Sequence, residues 1–564
     1  MKSFSISLLE RLKKYCGHSE RGFLGFGKAL EKEQVQSNPV TEPKRSQNPK
    51  RPLPSSIPPD GCSIVLIALM SLLALTTPAA LPQPDLIAKI HFAGAQKISA
   101  DPHAMAFTNE FSSPEALALR AQTAAKLAAW LSGWLQTNQN VSVPDGAVLL
   151  HPVFEDLQTA EFFFEAQATA SRQPEVAIAI KLNPARAQLW RTALRSFFPA
   201  ASFKSSGAWL VFDSTPAPSG LGDQLAQELS KPPAGWLDLD VNWPRLAQWY
   251  PGLRELGLPE TQFKITAPDD NFRVDGKFLF PQNLSLNLEP WDVPTNTIHT
   301  PFDSFTAVRG FASWYQSQSW AQPYQLSPTP NQLFVWSLPG LPFLTYAAMP
   351  VPDPSAALDQ ALARLVPQFS DANDRDAFLS AITPAMGTNE ISFSGTPFIS
   401  PRLRALKTPA GPFLFAELFP NISRGKPLPP ELFQRLATPN LVYYHWEITA
   451  SRIPELLHVT QLGLMLTWHK QLEAESAAYQ WMQRAGGRLG NTDTEITQSG
   501  PAELTFARKT PGIFTAPEMF VLANWLEATN FPGYDIKMPP HSQRWKQSRH
   551  QMQLSPVPAP PATH

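Results

Sequence analysis

The chain has 564 residues with a formal net charge of −1, and it contains 59 prolines and 16 tryptophans. This length exceeds one ordinary hydrophobic core, so at least two domains are expected. Residues 1–60 hold 11 Lys and Arg against 6 Asp and Glu, which leaves 46 − 11 = 35 basic and 47 − 6 = 41 acidic residues in the rest. A mildly acidic body lacks the basic surface that nucleic-acid binding requires. We therefore predict no nucleic-acid partner.

A charge-free apolar run at residues 63–75 follows a basic, Pro-rich preamble, residues 1–62, that is expected to be disordered. Residues 63–81 are predicted to be a membrane-insertion segment, because a basic flank before an apolar run stays in the cytoplasm. A cleaved signal peptide is favoured, since a membrane span needs about 20 apolar residues. The alternative is a short uncleaved anchor. Both predict a cell-envelope location, either periplasmic or membrane-anchored and facing out of the cytoplasm.

The preamble itself has two interpretations. A true translation start near Lys50 and Arg51 would give an ordinary signal peptide, whereas an anchored protein would carry a real cytoplasmic tail. The only cysteines, Cys16 and Cys62, precede the apolar run. The exported part would therefore contain no disulfide and no thiol nucleophile.

The first half of the exported chain, residues 82–292, alternates strand-like and helical patterns. A helix is predicted over residues 114–135, with Ser113 as its cap and Pro114 in its first turn. Further helices are predicted to begin at Asn183-Pro184, ending before Pro199, and after Trp243-Pro244. Strands are predicted at residues 146–150, 161–168, 175–182, 208–212 and 236–241.

Residues 272–289 predict a three-stranded antiparallel meander. Asp275-Gly276 is a preferred two-residue hairpin turn, and apolar residues flank it on both sides. A second turn at residues 281–283 leads into an alternating segment, residues 284–289. The sequence therefore predicts three short strands here.

The second half, residues 293–535, repeats these patterns in the same order. Residues 343–351 lead into a helix that ends at Pro367, and residues 413–417, 441–448, 495–498 and 503–507 read as strands. This order suggests an internal duplication, although any protein of mixed helices and strands offers such matches. Thr515 and Glu518 form a capping-box pattern for a last helix, and residues 536–564 are expected to be a disordered tail.

Residues 301–310, 331–336 and 520–526 carry a resemblance to known proteins. These stretches resemble segments of uncharacterised signal-bearing envelope proteins from verrucomicrobial bacteria. That family has no assigned activity. The resemblance implies a bacterial cell-envelope setting and nothing about mechanism.

Two pairs of residues are weak candidates for chemistry. Asp238 and Asp240 lie two apart in a predicted strand, so both carboxylates face the same side and could divide acid and base roles. A strand with one hydrated face explains the same alternation more simply. His445 and Glu447 share a strand face in the same way and could begin a metal site. No third ligand stands at a recognisable spacing, so no metal and no cofactor are predicted.

Aromatic residues are dense between positions 311 and 346. Rings with polar tips can stack on a ligand, but rings at this spacing also suit a core that joins two halves. The candidate ligand-binding residues are Arg309, Trp314, Tyr315, Trp320 and Trp336.

We therefore expect an α+β fold of two similar halves, each a mostly antiparallel sheet with helices packed on one face, preceded by the signal or anchor helix. The leading functional hypothesis is a non-enzymatic envelope protein that binds a glycan, lipid or protein. The alternatives are an envelope hydrolase that uses paired carboxylates and a structural scaffold. If residues 63–81 are not cleaved, the membrane itself is a further partner.

Overall fold

The computed structural model describes residues 85–532, apart from 140, 142, 169–173, 216–219, 230–234, 250–256, 300, 319–324, 341–343, 371–382, 395–398, 420–427, 469–475 and 488. The predicted preamble, insertion segment and tail lie outside these residues. Within the described part, no helix combines the length and the apolar character needed to cross a membrane.

Within the described residues, eighteen strands form one sheet, and every pair in it is antiparallel. The first eight strands are β1 Asp85–Phe92, β2 Phe162–Ala168, β3 Glu175–Lys181, β4 Ser202–Ser206, β5 Trp209–Asp213, β6 Leu237–Val241, β7 Glu260–Thr266 and β8 Phe272–Leu279. The remaining ten are β9 Ser304–Arg309, β10 Gln332–Ser337, β11 Thr345–Pro350, β12 Thr383–Gly387, β13 Glu390–Ser394, β14 Arg402–Thr408, β15 Gly411–Glu417, β16 Leu441–Ile448, β17 Asn491–Gly500 and β18 Glu503–Thr510.

The helices are mostly short. Those before β8 are α1 Ala95–Ser99, α2 Met105–Phe111, α3 Pro114–Gln139, α4 Gly146–Leu157, α5 Pro184–Phe197, α6 Leu221–Glu228 and α7 Trp243–Trp249, with a 3-10 turn at Pro102–Ala104. Those after β8 are α8 Ala312–Ser317, α9 Pro354–Ser370, α10 Pro430–Leu436, α11 Thr449–Trp468, α12 Ala477–Gly486 and α13 Ala516–Glu527. Helices and a large antiparallel sheet together confirm the predicted α+β class.

The order of strand pairing is the same on both sides of one central pair. Before it, the neighbours run β4-β5-β3-β2-β1-β6-β7-β8. After it, they run β18-β17-β16-β9-β10-β11-β15-β14, and the hairpin β13-β12 extends the far end. The antiparallel pair β8–β18 joins the two series.

The two faces of the sheet differ in what covers them. Face A is the side that carries Ile90, Leu239 and Phe263, and face B is the side that carries His91, Asp238 and Lys264. Side chains of α3, α4 and α5 pack against face A in the first series, and α9 packs against face A in the second. Helices α6 and α10 pack against face B.

A helical layer ties the two series together. Helices α3, α11, α12 and α13 share one apolar cluster, and Trp525 of α13 is buried in the core of the first series. Lys126 of α3 donates a hydrogen bond to the carbonyl oxygen of Leu526 at 2.6 Å. The last helix therefore contacts both series.

The predicted meander at residues 272–289 is wrong. Asp275 and Gly276 lie inside the single strand β8, and residues 284–289 form no strand. A Cβ atom at Gly276 would overlap the ring of Phe263 and lie 2.7 Å from the carbonyl oxygen of Gln262. Glycine is therefore present because an aromatic ring of the neighbouring strand covers it, and not because the chain turns.

Two other local predictions are also wrong. Residues 146–150 begin helix α4 rather than a strand, since the apolar residues Leu150, Val153, Phe154 and Leu157 continue the run at helical spacing and are buried. Helix α9 continues past Pro367 to Ser370.

Several predicted helix starts are confirmed by their caps. The hydroxyl of Ser113 accepts from the backbone N–H of Ala116 at 3.2 Å, and the side chain of Asn183 accepts from Arg186 at 2.9 Å. Thr515 forms the reciprocal capping box with Glu518. These contacts are local, which is why the sequence alone predicts them.

Candidate functional site

Polar side chains form two adjacent rows on face B of the first series. One row runs across four strands from Glu165 through Lys89 and Asp240 to Gln262. The other runs from His91 through Asp238 to Lys264. Because directly paired residues on one face lie close together, these side chains form a single cluster, which we call the acidic patch.

Lys89 anchors one side of the acidic patch. Its ammonium lies 2.6 Å from a carboxylate oxygen of Glu165 and also pairs with Glu228 at the end of α6. Burial raises the pKa of Glu165 above its ordinary value, against the opposing effect of Lys89. Burial alone would lower the pKa of Lys89, but the two carboxylates outweigh it and raise that pKa. The charge of Lys89 is thus balanced by Glu165 and Glu228.

Asp240 and Glu260 form a second part of the patch, and amide groups support it. The amide nitrogen of Gln262 lies 3.4 Å from an oxygen of each carboxylate, and that of Asn242 donates to Glu260 at 2.9 Å. Burial and the nearby charge of Glu260 raise the pKa of Asp240. A bound cation would favour the ionised form of both groups.

His91 lies between two further carboxylates. Its side chain is 5% exposed and packs on Phe163, with ring centroids 4.4 Å apart. Nδ1 lies 3.4 Å from Asp238 and Nε2 lies 3.7 Å from Glu161, yet neither ring nitrogen forms a hydrogen bond with any residue that the structure describes. A buried imidazole without hydrogen bonds is uncommon in folded proteins.

The acidic patch carries an excess of negative charge. Its six carboxylates are Glu161, Glu165, Glu228, Asp238, Asp240 and Glu260, and the lysines that contact or pair with them are Lys89, Lys181 and Lys264. Six negative charges against three positive ones attract cations to this face. The Asp238–His91 pair also has the composition of a general acid–base pair.

The structure brings together both sequence-predicted aspartates and adds residues that the sequence did not single out. Asp238 and Asp240 share face B, as the two-residue spacing predicted. Lys89, His91 and Glu161 were missed because they lie about 150 and 80 residues earlier in the chain. The only local signal was the spacing of Lys89 and His91 in β1, which matches that of the aspartates.

His445 and Glu447 lie on face A, beneath the start of α13. His445 bonds Thr306 through Nδ1 at 2.8 Å and lies 3.3 Å from Glu447 through Nε2. Glu447 also accepts from the Thr449 hydroxyl at 2.9 Å and from the backbone N–H of Ala516 at 2.7 Å. Burial alone would raise the pKa of Glu447, but these bonds outweigh it and lower that pKa. The pair therefore fastens α13 to the sheet.

Histidine and acidic side chains do not converge on a metal site in the described part of the chain: no three or more His, Cys, Asp or Glu residues there form a group that could hold a metal ion.

The candidate aromatic residues do not form one surface. Trp336 is buried in the core of face B, and Arg309 donates to the carbonyl oxygens of Leu441 and Glu289 at 2.7 and 2.6 Å while its guanidinium covers Trp291. Trp314, 41% exposed, and Tyr315 lie on the short helix α8. Trp320 lies outside the described residues.

A buried pair of acids, Asp303 and Glu455, lies at the start of α11. Asp303 accepts from the hydroxyls of Ser337 and Ser451 at 2.5 and 3.1 Å, and Arg452 lies 2.5 Å from Glu455. Burial and the neighbouring carboxyl group of Asp303 raise the pKa of Glu455 to about 8. Glu455 therefore carries its proton at neutral pH in the folded protein.

We expect Glu455→Gln to gain stability relative to the parent as the pH rises from about 5 to about 8. The folded state holds the proton up to about pH 8, whereas the unfolded chain releases it near 4.5. The contribution of Glu455 is thus complete below 4.5 and is lost as the pH rises through 8. The difference in free energy of unfolding should change by at most about 1.4 kcal/mol per pH unit.

Urea denaturation at several pH values measures this difference. Glu431→Gln, which changes an exposed glutamate on α10, is the control and should show no such trend. A pH-independent difference for Glu455→Gln would contradict the raised pKa of Glu455.

No model of a known protein family matches this chain, and neither a curated protein nor a solved structure is similar to it.

Proposed function

We propose that this chain is an exported cell-envelope protein without enzymatic activity, and that it binds a basic segment of a partner protein on the acidic patch. The observation that carries this proposal is the excess of carboxylates on face B of the first series around the buried ring of His91. The charge-free run at residues 63–75 supports the proposed export.

The chemistry of the acidic patch supports a cationic partner rather than a neutral or anionic one. Asp238 has 36% of its side chain exposed, and Asp240 is only half-buried, so both carboxylates are within reach of solvent. Lysine side chains can approach along the face while their stems cover the surrounding apolar atoms. Such contacts weaken with salt, because ions screen exposed charges.

The test is the binding of a fluorescent oligolysine peptide to the full chain, measured by anisotropy at low and at physiological salt. The double variant Asp238→Asn/Asp240→Asn should weaken binding by roughly 2- to 30-fold, because each exposed ion pair contributes about 0.2–1 kcal/mol. The matched control is Asp223→Asn/Asp269→Asn, which removes two exposed carboxylates that pair with Lys204 and Lys509.

Two outcomes would overturn the proposal. One is the absence of saturable peptide binding at low salt. The other is an equal loss of affinity in the control variant, which would indicate attraction to the net charge of the protein rather than to this patch.

A hydrolase remains the second candidate, and one observation favours it. Asp238 and His91 face each other at 3.4 Å, and burial raises the pKa of the adjacent Asp240, as expected of an acid–base site. Turnover of ester or glycoside substrates that Asp240→Asn abolishes would favour this function over binding. If neither turnover nor peptide binding is observed, the structural scaffold is the interpretation that is left.

We also propose that the two strand series arose by duplication of one unit. The same order of eight paired strands on either side of β8–β18 supports this origin. The connections α6 and α10 support it as well, since both lie on face B between equivalent strands. The second unit would then have gained the β12–β13 hairpin and helix α12, whereas α11 follows β16 as α7 follows β6.

A further inference from the structure

Face B of the second series carries a row of aromatic side chains that ends in charged groups. Cross-strand neighbours run from Phe305 through Trp336 and Tyr346 to Glu417 and Arg402. The rings of Trp336 and Tyr346 are stacked, with centroids 5.7 Å apart and an angle of 22° between their planes. The aromatic core therefore forms an apolar wall beside Glu417 and Arg402.

Two polar atoms at this end of the row are buried without a hydrogen-bond partner in the described part of the chain, and an unpaired carboxylate lies beside them. The hydroxyl of Tyr346 and Nε of Arg402 are buried and form no hydrogen bond with the residues that the structure describes. Glu417 is 6% exposed, and its carboxylate accepts no hydrogen bond and forms no ion pair within the described part of the chain. The Tyr346 hydroxyl and the Arg402 Nε each cost about 1–3 kcal/mol of stability when they stay buried and unpaired.

The nearby arginines do not neutralise Glu417. The guanidinium groups of Arg402 and Arg404 lie 3.4 and 3.5 Å from Glu390 instead. Burial accordingly raises the pKa of Glu417, and the two arginines lower it less. The carboxylate is thus held beside an arginine without contacting it.

We propose that Tyr346, Glu417 and Arg402 form a binding site for a neutral ligand that carries a secondary amide. The N–H of Arg402 donates to the amide oxygen, and the carboxylate of Glu417 accepts from the amide N–H. Neighbouring strands are about 4.8 Å apart, so Tyr346 and Arg402 are about two strand spacings apart, and Glu417 of β15 lies between them.

The mixture of charges selects a neutral amide over an ion. A simple anion would meet the carboxylate of Glu417, and a simple cation would meet Arg402 and Arg404. An amide presents an acceptor and a donor together, so it satisfies both sides at once. The hydroxyl of Tyr346 either donates or accepts, and the stacked rings exclude water from the contact.

Amides of this kind occur in two sources, acetamido sugars and peptide backbones. The experiment is a calorimetric titration of the full chain with millimolar N-acetylglucosamine, with glucose, and with an alanine blocked as an amide at both ends. Glucose lacks the amide and is the control ligand. Binding of one amide probe supports the site and shows whether the ligand is an acetamido sugar or a peptide. Equal binding of glucose, or no saturable binding of any probe, overturns the proposal.

Two conservative variants connect binding to these residues. Tyr346→Phe removes only the hydroxyl, and Arg402→Lys removes the Nε donor. Each should weaken amide binding about 2- to 10-fold. Tyr346→Phe should not lower the melting temperature, because its hydroxyl is unpaired in the free protein, so a loss of binding cannot be ascribed to unfolding. Affinities equal to those of the parent would overturn the assignment.

Discussion

Replacing Arg508 by methionine is expected to lower the free energy of unfolding by about 2–4 kcal/mol, between the costs for exposed and for fully buried ion pairs, because the side chain of Glu518 is 29% exposed. Arg508 holds Glu518 through two bonds of 2.7 and 2.8 Å and donates to the hydroxyl of Thr494 at 2.9 Å. Burial alone would raise the pKa of Glu518, but Arg508 outweighs it and lowers that pKa. Methionine would leave Glu518 without its counter-ion at the start of α13.

Chemical denaturation monitored by tryptophan fluorescence measures this loss. Arg435→Met is the matched control, because Arg435 is 57% exposed and pairs with Glu495 at 3.2 Å; it should cost about 0–1 kcal/mol. The double variant Arg508→Met/Glu518→Leu should recover part of the loss, since it removes both charges. A cost for Arg508→Met no larger than that for Arg435→Met would contradict the stabilising role of this partly buried ion pair.

Gly276→Ala is expected to destabilise the protein by about 1–3 kcal/mol. The added methyl group would overlap the ring of Phe263 and approach the carbonyl oxygen of Gln262. Phe506 lies opposite Gly276 on β18, and its ring centroid is 5.3 Å from that of Phe263. The ring therefore has little room to move at the junction between the two strand series.

Thermal unfolding measures this effect, with Gly500→Ala as the control. A methyl group at Gly500 would make only an ordinary contact, 3.5 Å from Glu503, so that substitution should stay within about 0.5 kcal/mol. Gly276→Ala combined with Phe263→Leu should cost less than the sum of the two single variants. Equal stability of the two alanine variants would contradict the close approach.

The two strand series place polarity on opposite faces. Leu239 and Val241 of β6 lie on face A in an apolar core, whereas His445 and Glu447 of β16 lie on face A in a buried polar network. On face B the aspartates of β6 are polar, while Tyr444 of β16 belongs to the aromatic core. The acidic patch and the proposed amide-binding residues both lie on face B, but those of the second series lie at the end of an aromatic core.

Local patterns predicted most of the elements but not the meander. Asp275-Gly276 is a turn signal only when the flanking segments pair with each other. In this protein β8 pairs instead with β7 and with β18, which lies more than 200 residues later in the chain. Long-range pairing therefore overrode a local preference of about 1 kcal/mol.

The sequence also predicted part of the acidic patch. The alternation of Asp238 and Asp240 placed both carboxylates on one face, because side chains alternate along a strand. It could not place His91 or Glu161 beside them, since their proximity depends on the pairing of β1 with β2 and β6. The same limit applies to Tyr346, Glu417 and Arg402, which come from three strands.

The sequence by itself determined the helix caps, the α+β class and the faces of individual strands, because each depends on residues within a few positions of one another. The tertiary structure decided which strands are neighbours and which aromatic residues are buried. It also decided which carboxylates share a surface. These outcomes depend on burial and pairing between distant segments, whose free energies exceed local preferences and have no local sequence signal.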